Sequence, residues 1–244
     1  MDAFGYGGAQ RVGGFVWWVS QKCIFMKKRN EGPVDASEIE QLFTRADGSY
    51  LCARWGRPIV PVVFGVEDDA IAVLKGAFEA ICVLSGHKMD ELDAELGVNV
   101  MMLFCKDWDE LSGVPELDRL VPELKELVGR LIKADANQYR IFRFDDAGAI
   151  QACFIFLRMD EDLSTVPAET LALSQAVQSI VLWSDVAFKD ASPLALVEGN
   201  AVLRPGIANV IRAVYDPVMP AVAQDASHAL RLAARVTAQA EALQ

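Results

Sequence analysis

Residues 98–105 (VNVMMLFC) constrain the fold of this chain more than any other stretch, because seven of the eight are apolar and none is glycine or proline. An apolar run of strand length without polar alternation has two faces to bury. It predicts a central strand covered on both sides, hence a layered molecule. At 244 residues the chain is long enough to supply the covering elements, since chains of this size bury roughly 70–75% of the surface they expose when unfolded.

The elements around it can be read from local pattern. Ser37 and Glu40 stand at capping-box spacing ahead of Leu42 and Phe43, predicting a short helix over 36–44. Asp47-Gly48 marks a turn. Ile59-Val60-Pro61-Val62-Val63-Phe64 reads as a strand, and Pro61, lacking a ladder donor, places it at an edge or a bulge. Ile71, Leu74, Phe78 and Ile81 recur at helical spacing over 68–84, with Gly86 where a helix ends. Pro115 and Pro122 sit where a first helical turn accepts proline, and a helix follows over 122–134. The aromatic-rich segments 139–144 and 150–158, separated by Asp145-Asp146-Ala147-Gly148, predict a β-hairpin. Pro167 opens a helix running to about Trp183, residues 185–206 read as loop, and helices near 207–215 and 221–243 finish the chain. The order predicts an α+β fold: a small mixed or antiparallel sheet of about four strands with a hairpin, packed by helices.

Charge divides the chain in two. Residues 1–30 hold five basic groups against one acid, a surplus of four, so the remainder carries −15 within a net charge of −11. We therefore expect a basic, aromatic amino-terminal segment (1–30) followed by one acidic α+β domain (31–244). A body so acidic repels phosphate backbones, which argues against nucleic acid as a partner. Residues 12–26 (VGGFVWWVSQKCIFM) are too short for a membrane span and contain Lys22, and the basic cluster Lys27-Lys28-Arg29 follows the apolar stretch, the reverse of a secretory signal. The segment either packs on the body or lies at a membrane surface, with Phe15, Trp17, Trp18 and Phe25 among headgroups and the cations on anionic lipid. Residues 11–29 are thus the expected contact for a protein partner or a membrane. Met26-Lys27-Lys28-Arg29 also resembles a translation start. Cys23, Cys52, Cys82, Cys105 and Cys153 are odd in number, scattered, and mostly in apolar surroundings. They read as small buried hydrophobes of a reducing compartment, with one or two disulfides left open, so a cytoplasmic location is expected, with the cell envelope as the alternative.

Few residues could carry chemistry. His87 and His228 are the only histidines and belong to unlike segments, which excludes zinc sites built on two or three imidazoles. His87 reads as a solvated group at a helix end and His228 as a surface residue of a late helix. No nucleophile elbow, Walker loop or dinucleotide fingerprint occurs, and no cofactor is expected. One enzymatic reading survives. Asp107 and Asp109 follow the central strand and Asp145 and Asp146 end another, an arrangement that could hold magnesium for phosphoryl transfer and that resembles haloacid-dehalogenase-type phosphatases. Against it, that family needs a doubly wound parallel sheet, whereas Asp145-Asp146 has the look of a hairpin tip.

Gln175-Ala176-Val177 on a helix, Ser184-Asp185 beyond it, Arg212-Ala213-Val214-Tyr215-Asp216-Pro217 near the end, and Arg54-Trp55-Gly56-Arg57-Pro58-Ile59-Val60 upstream form a set. Over about half the chain they resemble a bacterial family of uncharacterised function that includes predicted lipoproteins. The resemblance implies a zincin-like layout with a metalloprotease-like helix. The acids of that helix, three and four positions before its glutamine, are replaced here by Ala172 and Leu171, its glycine by Gln178, and Glu169 lies too far back to substitute. The resemblance thus implies a degenerate peptidase-like fold without its metal. Three functions follow as expectations: a non-catalytic interaction or scaffold protein, near a membrane if the basic segment attaches there; a magnesium-dependent phosphohydrolase; or a small-molecule binder with an apolar cleft.

Overall fold

The computed structural model describes residues 34–241 and, ahead of them, the strand at 15–20. The first elements in chain order are β1 (Phe15–Ser20), α1 (Ala36–Phe43), β2 (Cys52–Ala53), β3 (Pro61–Phe64), α2 (Asp68–Ser85) and β4 (Val100–Cys105). A 3-10 turn (Trp108–Gly113) leads to α3 (Leu117–Leu120), α4 (Leu124–Lys133) and the hairpin of β5 (Gln138–Phe144) and β6 (Ile150–Arg158). Then come α5 (Glu161–Ser164), α6 (Ala168–Ile180), β7 (Leu194–Val197), β8 (Asn200–Leu203), α7 (Pro205–Tyr215), β9 (Val222–Ala223) and α8 (Ser227–Glu241).

The main sheet is mixed, in the order β1-β5-β6-β4-β3. β3, β4 and β6 run parallel, while β5 is antiparallel to both β6 and β1. β4 lies in the interior, as its unbroken apolarity requires, and β3 forms the edge that Pro61 predicts. Alternation along β6 divides the core: Cys153, Ile155 and Leu157 join the large cluster with α1, α2, α6, α7 and α8. Ala152, Phe154 and Phe156 face the smaller one, where Trp108, Leu111, Leu124 and Leu127 cover the opposite side. The result is three layers, helices on both faces of a mixed sheet.

Several local expectations are corrected. The capping box of α1 uses Asp35 and Glu38, not Ser37 and Glu40: the Glu38 amide donates to Asp35 Oδ1 at 2.8 Å, and the Asp35 amide donates to Glu38 Oε2 at 3.2 Å. α2 closes at Gly86 with φ +69°, as predicted. Pro115 and Pro122 do not occupy first turns. Each precedes a glutamate N-cap in the left-handed region, Glu116 with φ +61° and Glu123 with φ +56°, so the repeated Val-Pro-Glu-Leu at 114–117 and 121–124 builds the same corner twice.

The stretch expected as loop contains the β7–β8 ribbon, turned by Glu198 (φ +51°) and Gly199 (φ +86°), the two positive values of a type I′ hairpin. α6 ends at Ile180, short of Trp183, because Val181 is extended and bridges to Arg54. The last helix begins at Ser227, since Ala53 and Cys52 pair with Val222 and Ala223 ahead of it. Of the amino-terminal readings, β1 favours packing on the body, with Phe15 to Ser20 in register against Arg143 to Gln138. Cys23 and the basic cluster at 27–29 lie outside the described residues.

Candidate functional site

The carboxylates proposed for magnesium do not meet. Cys105 pairs with Arg158 at one end of β6, whereas the Asp145 amide bonds the Ala149 carbonyl beyond the other end. The nine-residue β6 lies between, so the pairs are roughly 25–30 Å apart along the strand. One ion takes carboxylate oxygens at about 2.1 Å, so no ion can use both pairs. Each acid instead has a local task. Asp107 and Glu110 form a capping box at the 3-10 turn, which Trp108 anchors by donating from Nε1 to the Ala136 carbonyl at 2.8 Å. Asp145 Oδ1 accepts from the amides of Ala147 and Ala149, both at 2.9 Å, and so closes the hairpin. Asp109 and Asp146 are exposed. Among the described residues no group of three or more His, Cys, Asp or Glu side chains could hold a metal ion.

What the fold does assemble is a set of contacts among the segments that carry the resemblance. Trp55 Nε1 donates to the Ser179 carbonyl at 2.8 Å, and the Tyr215 hydroxyl donates to the Ile180 carbonyl at 2.8 Å while accepting from the Trp55 amide at 3.3 Å. Both bonds serve carbonyls in the last turn of α6, which have no partner within the helix. Arg54 donates to the Tyr215 and Met219 carbonyls at 3.0 and 3.1 Å. Ser184 and Asp185 reach the other way: the Ser184 amide donates to the Leu42 carbonyl at 2.8 Å, and Asp185 Oδ1 accepts from the Ala46 amide at 3.0 Å. Segments distant in sequence therefore converge on the exit of α6.

α6 is buried nearly all round, as a helix enclosed between layers must be. Its two glutamines point at β5. Gln175 and Gln178 accept from the two terminal nitrogens of Arg140, Gln175 Nε2 donates to Gln138 Oε1 at 2.9 Å, and Gln178 Nε2 donates to Ser174 Oγ at 2.8 Å. Arg140, Gln138, Gln175 and Ser179 are all fully buried. Leu171 and Ala172 lie in the same enclosed helix, within the core. Beneath it, burial pushes the Cys153 thiol up to about 12, leaving it protonated and unreactive.

Both histidines differ from expectation. His87 is half-buried, its Nε2 2.9 Å from the Arg57 carbonyl and its ring 5.1 Å from that of Tyr215, and burial holds its pKa below the ordinary value. Nε2 donates there, which leaves Nδ1 unprotonated in the neutral ring. His228 is 3% exposed, with Nδ1 2.9 Å from the Tyr50 hydroxyl. Burial lowers its pKa to about 4. A histidine three residues after an exposed Asp225 gives no local sign of this, because the partner lies 178 positions away. No family model matches the chain, and comparisons with known proteins and with solved structures find no match.

Proposed function

We propose that the chain is a non-catalytic interaction protein in which a peptidase-like arrangement has been given over to structure, and whose basic amino-terminal segment binds an anionic surface. The carrying observation is α6. A catalytic helix must present reactive groups to a substrate, whereas here Gln175 and Gln178 of α6 engage Arg140 and Gln138 inside the core, and Leu171 and Ala172 stand where the resembling family has acids. The charge division supports the second half of the reading, because an acidic body is repelled by an anionic surface unless a separate cationic segment reaches it. Among the described residues no helix is long and apolar enough to cross a membrane, so any membrane attachment through them would be peripheral. The cytoplasmic leaflet is the anionic surface that fits a protein of a reducing compartment.

Two measurements test this. Co-sedimentation with phosphatidylserine-containing vesicles should show binding that falls about 100-fold on replacing Lys27, Lys28 and Arg29 by Gln, taking about 1 kcal/mol per surface cation. Equal binding by the two proteins would remove the attachment. Thermal shift with 1 mM Mg2+, Mn2+ or Zn2+ should leave the melting temperature unchanged, whereas a metal bound at a hundred times its Kd would contribute about 2.7 kcal/mol. A rise abolished by Asp107→Asn would return the chain to the metal-dependent hydrolases.

A further inference from the structure

The carboxyl-terminal helix α8 is held in an unusual way for an element covering the core. It packs on α1 and α7, yet its buried residues are only His228, Ala229, Leu232 and Val236. So narrow a stripe, two of its members an alanine and an imidazole, contributes little apolar burial compared with the other covering helices. Two polar fastenings supplement it. Near its start, His228 meets Tyr50, whose ring lies edge-on at 6.0 Å. Farther along, Arg235 and Gln239 donate to Asp216 Oδ2, at 3.0 Å from Arg235 Nε.

The first fastening tolerates only the neutral imidazole. An imidazolium has two N–H donors, and both need acceptors. The Tyr50 hydroxyl can accept from Nδ1, but His228 Nε2 is buried without a hydrogen-bond partner. The charged groups around it offer no relief. Arg231 on the same helix is cationic and opposes protonation, and the Asp225 carboxylate ahead of the helix is exposed and engaged by the Ser227 amide at 2.8 Å. On α1, Glu38 and Glu40 are exposed, and Glu40 is sensed at the Tyr50 phenol. On α7, Arg212 bonds Asn209, and just past its end Asp216 is committed to Arg235. The β2–β9 pair carries no charge. A protonated His228 can therefore satisfy both nitrogens only by leaving its site for water.

We infer that α8 is an acid-released clamp: closed over α1 and α7 while His228 is neutral, and opened from its amino-terminal end when His228 takes up a proton. The second fastening keeps the opening partial. Arg235 holds the Asp216 carboxyl below its usual range, so that contact persists under mild acid and the far half of α8 stays tethered.

The size of the effect follows from linkage. The closed state binds fewer protons than the open one between about pH 6.5 and pH 4, so closure is fully favoured above that window and weakens as pH falls through it. Between pH 7.4 and pH 5.0 the opening constant rises about 30-fold. Amide exchange of the full chain, corrected for intrinsic rates, should show protection across 229–234 falling by about that factor, while the tethered residues 235–241 fall less and α6 stays far better protected at both values. His228→Phe, which keeps a ring but cannot titrate, should reduce the fall to less than threefold. The chain has two histidines, so the His228 ring resonances can be assigned with His87→Asn, and their midpoint should lie below pH 5.5. A midpoint at 6.5 or above, equal protection of α8 and α6 at pH 5.0, or an undiminished fall in His228→Phe would each overturn the clamp.

Discussion

The guanidinium of Arg54 lies over the ring of Tyr215, 5.4 Å from its centroid, and bonds the carbonyl of the same residue across 161 positions of sequence. The Tyr215 hydroxyl ends in the buried turn at Ile180, so the pair joins the amino-terminal part of the body to the exit of α6 and to the carboxyl-terminal part. Tyr215→Phe keeps the ring and removes the hydroxyl, orphaning the Ile180 carbonyl and the Trp55 amide. We expect a loss of about 2 kcal/mol, or a drop of about 4–8 °C in melting temperature for a chain of this length. A change under 1 °C in calorimetry would show that the hydroxyl is dispensable.

The buried layer between β5 and α6 makes a different prediction, one of non-additivity. Gln175→Leu takes one acceptor from the fully buried Arg140 and should cost about 1.5–3 kcal/mol, as losing a hydrogen bond to a charged group does. Arg140→Met in the same protein removes the group left in need. Urea denaturation should therefore show the double variant less destabilised than the sum of the single variants by about 1–3 kcal/mol. Strict additivity would mean that the two side chains are energetically independent.

Glu116 and Glu123 hold positive φ at the two Val-Pro-Glu-Leu corners, a region that favours glycine. Left-handed backbone costs a residue with a Cβ about 1 kcal/mol or more, partly offset by the extra freedom glycine gains when unfolded. Glu123→Gly should leave stability unchanged or raise it by up to about 1 kcal/mol, although most substitutions do the reverse. Glu116→Gly should gain less, because it also removes the exposed ion pair with Arg119. Chemical denaturation of both variants distinguishes these outcomes from a general loss.

β1 covers the outer side of β5 from Gln138 to Arg143. A chain begun at Met26 would lack this strand and present an unpaired edge containing Ile141 and Phe142. Unpaired edges of this kind recruit other chains. Light scattering of the protein lacking residues 1–25 should reveal concentration-dependent association that the full chain does not show. A monomer of unchanged melting temperature would mean that β1 contributes nothing to closing the sheet.

How far the sequence discloses this molecule depends on the range of the cause. Pro61 forces an edge through its own missing donor, and residues 98–105 force an interior strand through their own apolarity, so both are legible locally. The β7–β8 ribbon was legible in principle, since Leu194 to Val197 and Asn200 to Leu203 flank a two-residue turn ending in Gly199. Glutamate at the first turn position, instead of asparagine, aspartate or glycine, hides it. Asp35 outcompeted Ser37 as the cap of α1 because two residues at workable spacing were on offer. The candidate site was less legible. Asp107 and Asp145 resemble paired strand-end acids until the antiparallel turn between β5 and β6 puts them at opposite ends of the sheet. His228 gives no local warning of its burial, which is decided by Tyr50.

The stretch from Cys52 to Trp55 imposes an order on how the protein can be made. Its partners at Ile150, Val181, Tyr215 and Val222 all lie far downstream. At about 5–20 residues per second, a ribosome that has just produced Arg54 needs roughly 10–30 s more to deliver Tyr215. During that interval α2 and the β3–β4 pair can form, but the seam that joins them to α6 and α7 has only one side. The nascent chain must carry Trp55 and its neighbours unmatched until residues 150–222 have emerged, which exposes an apolar segment to whatever shields such segments outside the exit tunnel.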